Sequence, residues 1–255
     1  MRVCTLASGS SGNAVLVESG ATRVLIDAGL SGRDLADRLR LVRVDPESIR
    51  AVAFTHEHLD HVRGAGAFAR RYRVPLYFNP ATRGQVADLH KCRVEEFQTG
   101  EPFEVGDLRL APFSISHDAA DPVGFTIEDG VRRIGMAADL GFVSRLVAER
   151  LAGVDALLLE SNHDPLMLEN GPYPRDLKRR VAGKHGHLSN EQCGDLLAAL
   201  VHGGLQHVVL LHLSEKNNTP EIATAAARAR LGEAGAGEIP LQAASQRFPG
   251  RPVTL

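Results

Sequence analysis

Cysteine is scarce in this chain. Its three residues, Cys4, Cys92 and Cys193, are scattered, odd in number and show no C-x-x-C spacing. That pattern excludes a disulfide framework and a cysteine-built zinc site, and it fits a reducing compartment, so a cytoplasmic location is expected. An excess of one charge is missing too. With 29 Lys and Arg against 31 Asp and Glu, the formal net charge is −2. Overall charge therefore draws the chain toward neither nucleic acid nor membrane, and any anionic partner must be met by a local patch. Long apolar runs are absent, and no stretch approaches the roughly 20 residues of a membrane span. The opening MRVCTLASGSSGN turns polar far too soon for a signal peptide. No Pro- or Ser-rich linker and no low-complexity tract divides the chain. At 255 residues it is long enough for one large domain with a full core, and a single domain over residues 1–255 is expected.

What is present reads as strands and helices in alternation. VCTLAS, AVLVES and TRVLID are strand-like runs separated by the turns SGSSGN and SGA. SGRDLADRLRLV follows with helical periodicity, and Ser31 is placed as its N-cap. IRAVAFT is a buried-type strand running straight into HEHLDH. After it, GAGAFARRYR reads as helix and VPLYF as strand; residues 80–91, PATRGQVADLHK, read as helix with Pro80 in the first turn. Short strands dominate from about residue 94 to 137, where VGFTIE and VRRIGMAA are joined by Asp129-Gly130, a two-residue hairpin signal. Beyond that, the helical segments FVSRLVAERL, PRDLKRRVAG, SNEQCGDLLAALV and PEIATAAARARLGEA are interleaved with the strands VDALLLE and HVVLLHL. This interleaving predicts an α/β fold of two mixed sheets packed together and covered by helices.

Histidine is abundant, with eleven residues, and the densest group is Thr55-His56-Glu57-His58-Leu59-Asp60-His61. Three imidazoles and a carboxylate within six residues, at the end of a buried strand, are costly to leave unpaired. Together they suit zinc, manganese or iron. In extended backbone His56 and His58 point the same way, because side chains repeat every two residues. Asp60 and His61 follow the turn and can aim at a second point nearby, which favours two adjacent metals over one. His117 in FSISHDA, Asp139 in MAADLG and His212 in VVLLHLS would each pass singly for a loop, cap or core-edge residue. Each ends a strand, however, and layered α/β folds assemble sites from distant segments at one end of a sheet. His90, His202 and His207 lack neighbours of the right type and read as structural.

HEHLDH followed by His117, Asp139 and His212, in this order and spacing, resembles the metallo-β-lactamase fold superfamily. That fold is a four-layer αββα sandwich, two mixed sheets flanked by helices. Within the superfamily the chain is similar to the YycJ/WalJ group of bacterial exonucleases, through LASGSSGNA, DAGLSG, THEHLDH, SHDAADP, ESNHD, YPRDLKRR, GHLSN and HLSEKNN. The resemblance implies that His56, His58 and His117 hold one divalent metal ion and that Asp60, His61 and His212 hold another, with Asp139 bridging them. All seven positions carry the expected residue type. It also implies manganese (Mn2+) first and zinc (Zn2+) second, since this donor set accepts either, and DNA attacked from a 5′ end as substrate. His163 and Asp164 in ESNHD belong to the resemblance, but no role follows from the residues themselves.

Two adjacent divalent ions lower the pKa of water and polarise a phosphoryl oxygen, which predicts phosphodiester hydrolysis. The leaving 3′-alkoxide then needs a proton. In ribonuclease Z, a more distant member of the superfamily, a segment similar to GHLSN supplies a histidine backed by a glutamate at a strand end. His187 and Glu160 stand at those places, and the carboxylate would keep the imidazole protonated as a general acid. His185 lacks this support and reads as a loop residue. Candidate phosphate contacts are the SGSSGN loop (Ser8, Ser10, Ser11, Asn13) and the segment SEKNN (Ser214, Asn217, Asn218). A further candidate is the helix start where Ser189 caps Asn190 and Gln192 completes a capping box. Arg175, Lys178 and Arg179 share one helical face, with Arg180 and Lys184 close by, and would meet a DNA backbone without reading its sequence.

The predicted function is a dinuclear-metal 5′→3′ exodeoxyribonuclease in DNA repair; the family resemblance points to mismatch repair, with mismatch-repair proteins as partners. An RNA-processing nuclease of ribonuclease Z type is the nearest alternative, but the chain has no long flexible Gly/Pro-rich arm. Only about seventy residues separate Asp139 from His212, which leaves no room for an inserted cap domain. Hydrolysis of a small thioester or lactam fits the basic run and the His187/Glu160 pair less well. A regulatory binding module with structural metals would be expected to have lost a ligand position, and none is lost.

Overall fold

The computed structural model describes Met1 to Leu255 throughout. Its first half runs β1 (Arg2–Ala7), β2 (Ala14–Ser19), β3 (Thr22–Ile26), α1 (Gly32–Leu41), β4 (Ala51–Ala53), α2 (Leu59–Val62), α3 (Ala65–Tyr72), β5 (Leu76–Phe78), α4 (Pro80–Gln85) and β6 (Val94–Glu96). The second half begins with the strands β7 (Phe103–Val105), β8 (Leu108–Ser114), β9 (Val123–Glu128) and β10 (Arg133–Ala137). It continues through α5 (Arg145–Leu151), β11 (Ala156–Glu160), α6 (Pro165–Asn170), α7 (Arg175–Val181), α8 (Asn190–Leu200), β12 (His207–Leu211), α9 (Pro220–Glu233) and β13 (Leu241–Ala243). The last strand, β14 (Val253–Thr254), returns to pair with β1.

The two seven-stranded sheets share one plan. In the first, β14-β1-β2-β3 pair antiparallel and β3-β4-β5-β6 pair parallel. In the second, β7-β8-β9-β10 pair antiparallel and β10-β11-β12-β13 pair parallel.

Period-two alternation along the strands builds the layers. In β3, Val24 and Ile26 join the cluster between the sheets, while Leu25 joins the cluster beneath α1 and α3. In β12, Val209 and Leu211 face the first sheet and Val208 and Leu210 face α5, α8 and α9. The helices answer with i, i+3, i+4, i+7 stripes such as Cys193, Leu196, Leu197 and Leu200 in α8. The result is the αββα sandwich, with helices on both outer faces. Each fully buried Leu or Phe contributes about 1.5–3 kcal/mol to holding these layers together.

Two local expectations are corrected. The helix expected over residues 80–91 stops at Gln85. Gly84 weakens its last turn, and Val86 turns extended so that it and Leu89 reach the α1/α3 cluster. The hairpin between β9 and β10 turns on Gly130 and Val131, one residue later than Asp129-Gly130. The Asp129 N–H donates to the Arg132 carbonyl, and its carboxylate accepts the N–H groups of Val131 and Arg132. Asp164 also acquires a place: it is the N-cap of α6, accepting the Met167 N–H at 2.8 Å. No helix is long and apolar enough to cross a membrane.

Candidate metal centre

Strands of both sheets deliver polar side chains to one edge of the sandwich. β4 leads into His56–His61, β8 into His117, β10 into Asp139 and β12 into His212, and β3 adds Asp27. Asp27, Asp139 and His212 adopt left-handed backbone, with φ of 64°, 55° and 54°. Non-glycine residues seldom take that conformation; here it swings the chain sharply off each strand end. Gly29 is required for close approach, because a Cβ there would lie 1.6 Å from the Asp60 carbonyl oxygen.

The seven predicted ligand residues are gathered at this edge, their candidate atoms in overlapping groups within 4.8 Å. Nε2 of His56 and Nε2 of His117 lie 3.1 and 3.3 Å from Nδ1 of His58. Nε2 of His61 is 3.0 Å from Asp139 Oδ2 and 3.5 Å from Asp60 Oδ2, and Nε2 of His212 is 3.6 Å from the same Asp60 oxygen. In four of the five rings the outer nitrogen is occupied by the fold. His56 Nδ1–H donates to Thr55 Oγ1 at 3.0 Å, His61 Nδ1–H to Asp27 at 2.8 Å, His117 Nδ1–H to the Gly186 carbonyl at 3.2 Å, and His212 Nδ1–H to Glu160 at 3.0 Å. These bonds hold the four rings by Nδ1 and aim Nε2 inward, the orientation metal-binding histidines use. Asp139 Oδ2 and His212 Nε2 are buried with no hydrogen-bond partner. Lone pairs and carboxylate oxygens this close repel one another unless cations lie among them, so the residues present fit two divalent ions.

Without metal the electrostatics are divided. Burial, reinforced by the neighbouring imidazole of His61, holds His56 well below the usual histidine range. Burial also opposes charge on His61, but Asp27 and Asp139 outweigh it and hold that ring well above the usual range. Metal binding must therefore displace a proton from His61, which makes affinity at this position depend on pH.

Beside the cluster, His187 Nδ1–H donates to Glu160 Oε1 at 2.8 Å. Burial works against a charged ring, yet the Glu160 carboxylate outweighs it and raises the His187 pKa. Glu160 itself stays ionised, with a pKa of about 2: burial would raise it, and His187 and His212 override that. The two residues come together because Gly141 and Gly186 let the loop before His187 lie on the turn after Asp139; a Cβ at Gly141 would meet the Lys184 carbonyl oxygen at 2.1 Å. His187, His58, His117, Asp60, Asp139 and His212 open onto one cleft of about 260 Å³.

This chain matches a beta-lactamase superfamily domain over residues 22–213. The exodeoxyribonuclease YycJ of Bacillus anthracis is 34% identical over 236 residues, covering 91% of this chain and 89% of its own. The exodeoxyribonuclease WalJ of Streptococcus pneumoniae is 34% identical over 224 residues, covering 86% and 83%. The chain belongs to the metallo-β-lactamase superfamily, in its YycJ/WalJ group. Among solved structures, the metallo-β-lactamase fold protein YhfI of Bacillus subtilis shares the fold, with a TM-score of 0.75 at 18% identity over 98% of this chain and 99% of its own.

In this YycJ/WalJ member the expected phosphate contacts scatter. Ser10 is exposed and lines the cleft, and Ser11 is exposed beside it. Ser8 and Asn13 are buried supports instead: Ser8 Oγ accepts the His212 N–H at 2.8 Å, and Asn13 Nδ2 donates to Asp60 Oδ2 at 3.2 Å. Ser189 and Asn190 are buried, and the capping box consumes Ser189 and Gln192 while the Asn190 N–H donates to the His163 carbonyl. Ser214, Asn217 and Asn218 are buried as well; Asn218 donates to the Ser161 and Asn162 carbonyls and to Asn190. These side chains knit loops together rather than face solvent. Arg175, Lys178 and Arg179 lie on the side of α7 away from the metals. Sequence reasoning passed over Asp27, Asp118 and Tyr173. Asp27 ends a strand as Asp139 does, and that was the available signal. Asp118 pairs with Arg180 at 2.8 Å at the cleft mouth, and Tyr173 and Leu177 line the cleft wall. His185 also reaches the cleft, with Nδ1 3.2 Å from Ser116 Oγ.

Proposed function

We propose that this chain is a metal-dependent 5′→3′ exodeoxyribonuclease. The observation that carries the reading is the His187–Glu160 pair opening onto the same cleft as the histidine–aspartate cluster. Hydrolysis of a diester needs both a centre of positive charge and a proton for the departing oxygen, and this cleft has residues for each. Relatives that share a third of its residues along nearly their whole length bear the name exodeoxyribonuclease, which supports DNA as substrate.

His56, His58 and His117 would hold one ion, Asp60, His61 and His212 the other, and Asp139 would lie between them. Manganese is the first choice for activity and zinc the second. When bound, such ions lower the pKa of water and polarise a phosphoryl oxygen. The chain's own residues do the rest. Glu160 holds His187 protonated and fixes its Nδ1, which leaves Nε2 free to give a proton to the leaving 3′-oxygen. Asp27, Thr55, Glu160 and the Gly186 carbonyl orient the rings around the cluster. Ser10 at the cleft edge offers a hydroxyl to a phosphate. We assign the protein to DNA repair in the cytoplasm, with mismatch repair as the pathway, and read residues 1–255 as one domain without an inserted cap.

The test uses protein reconstituted with Mn2+ and given 5′-labelled and 3′-labelled duplex, single-stranded DNA and RNA. Stepwise loss from the 5′ end of DNA is expected, and Asp139→Ala should abolish it. Equal activity in that variant would overturn the mechanism, and a preference for RNA 3′ extensions would favour a ribonuclease Z-like role.

A further inference from the structure

α7 is unusual in burying no residue at all. A seven-residue helix has little stability of its own, and helices in proteins persist chiefly by packing one face. Here both flanks of the helix face cavities. Leu177, Arg180 and Val181 line the metal cleft. The other flank, with Arg175, Lys178 and Arg179 at i, i+3 and i+4, lines a separate cavity of about 640 Å³ whose wall also includes His163. Thus α7 stands as a ridge between the metal cleft and a basic hollow.

The hollow carries uncommitted cationic character in a protein whose net charge is −2. Arg175 makes no ion pair, Arg179 reaches Asp176 only at 3.9 Å, and Lys178 Nζ donates to a backbone carbonyl, that of Glu169, at 2.6 Å. Glu169 is the only carboxylate on the cavity wall. His163 is 97% buried there, as its 3% exposure shows, and its Nδ1 has no hydrogen-bond partner. Cations held this way suit a repeating anion, met as point charges and guanidinium forks.

Resting on the nuclease reading above, we infer that α7 is a ridge crossed by the DNA strand: the terminal nucleotide occupies the metal cleft, and backbone phosphates farther along occupy the hollow made basic by Arg175, Lys178 and Arg179, with His163 in its wall. The two cavities lie one helix diameter apart, about 10–12 Å with side chains. At the stacked spacing of about 3.4 Å per nucleotide, about three nucleotides reach from one to the other. A dinucleotide reaches only the cleft, whereas a hexanucleotide engages both cavities. The hollow therefore sets a minimum length for tight binding and reads no sequence.

The experiment measures Kd by fluorescence anisotropy, with metal-loaded full chain and phosphorothioate-linked, 5′-phosphorylated oligothymidylates of two, four, six and twenty nucleotides. Wild type is expected to gain at least about tenfold in affinity between two and six nucleotides. The triple charge reversal Arg175→Glu/Lys178→Glu/Arg179→Glu should lose that gain. Its dependence of log Kd on log salt should flatten by about 2, for three contacts on a single strand. Arg145→Glu, on α5 and outside both cavity walls, should keep wild-type behaviour. None of these side chains is in the core, and a thermal melt confirms that the triple variant is folded. A triple variant with the wild-type length gain and salt slope overturns the ridge, and so does a wild type whose affinity ignores length. Absence of DNA binding at every length overturns the nuclease reading as well.

Discussion

Asp27→Asn changes one atom and should disable one metal position. The Asp27 carboxylate is wholly buried: Oδ1 accepts the Thr55 N–H at 2.9 Å, Oδ2 accepts His61 Nδ1–H at 2.8 Å, and the Thr55 hydroxyl donates to the same carboxylate. In the asparagine variant the amide oxygen must stay opposite the Thr55 N–H, since a backbone donor cannot face an NH2 group. The amide nitrogen then faces His61. Donation from that nitrogen requires Nδ1 to accept, which moves the ring proton to Nε2, the atom now 3.0 Å from Asp139 Oδ2. A protonated Nε2 cannot ligate. Losing an orienting partner alone weakens metal binding roughly 10–100-fold, and the tautomer change places this case at the upper end. About 100-fold corresponds to about 2.7 kcal/mol. Calorimetric titration of Mn2+ and Zn2+ into metal-free protein should show one weakened site and one of wild-type affinity, with stoichiometry checked by elemental analysis. Activity should recover partly in excess metal, and the melting temperature of the metal-free variant should change little because its volume does not. Two sites of wild-type affinity would refute the role of Asp27 in setting the His61 tautomer. Equal weakening of both sites would refute the division of the ligands into two sets.

Three other outcomes follow from the same geometry. His187→Ala should lower kcat by about 10²–10⁴-fold while both metals stay bound. Wild-type kcat should fall as pH rises through the raised His187 pKa, and the variant should lack that decline; loss of half the metal would instead make His187 a ligand. His163 is held down at about 4 by burial, against about 6.5 in an unfolded chain. Its contribution to stability is complete above pH 6.5 and is lost as pH falls toward 4, by up to about 3 kcal/mol. Urea unfolding of metal-free wild type and His163→Asn at pH 7.5 and 4.5 should show the difference shifting toward the variant at low pH, and a constant difference would refute it. Gly29→Ala places a Cβ 1.6 Å from the Asp60 carbonyl oxygen, a backbone clash that should cost about 3 kcal/mol or more and lower metal content; a wild-type melting curve with two metals bound would show that the loop can yield.

The layers and the candidate ligands were legible in the sequence for related reasons. Continuous apolar runs such as HVVLL, interleaved with helical segments, mark buried strands covered on both faces, although which residue faces which layer came only from the structure. The ligands at strand ends were legible as a set: each would pass singly for a loop, cap or core-edge residue, and their density in HEHLDH and their common place at strand ends gave them away. What failed was the separation of residues that bind phosphate from residues that bind the chain itself. Ser189, Asn190, Asn217 and Asn218 have the donors a phosphate needs, and those same donors cap helices and tie loops. Only the structure shows them already engaged and buried. The helix over 80–91 was overestimated because Val86 and Leu89 carry helical spacing, yet they reach the core as extended chain. Asp27 was quoted within a motif and given no role, since nothing local reveals that it lies beneath His61.

The shared plan of the two sheets has a mechanical consequence. His56, His58, Asp60 and His61 come from the first sheet, and His117, Asp139 and His212 from the second. Neither half of the chain can complete either ligand set alone, so the ions would act as rivets across the seam of the sandwich. An ion bound only when the halves are docked tightens that docking by RT ln(1 + [L]/Kd), about 2.7 kcal/mol when free metal stands at 100 times its dissociation constant. Chelation should then loosen the seam at its catalytic edge first, with hydrogen exchange rising at β4, β10 and β12 before the outer helices respond.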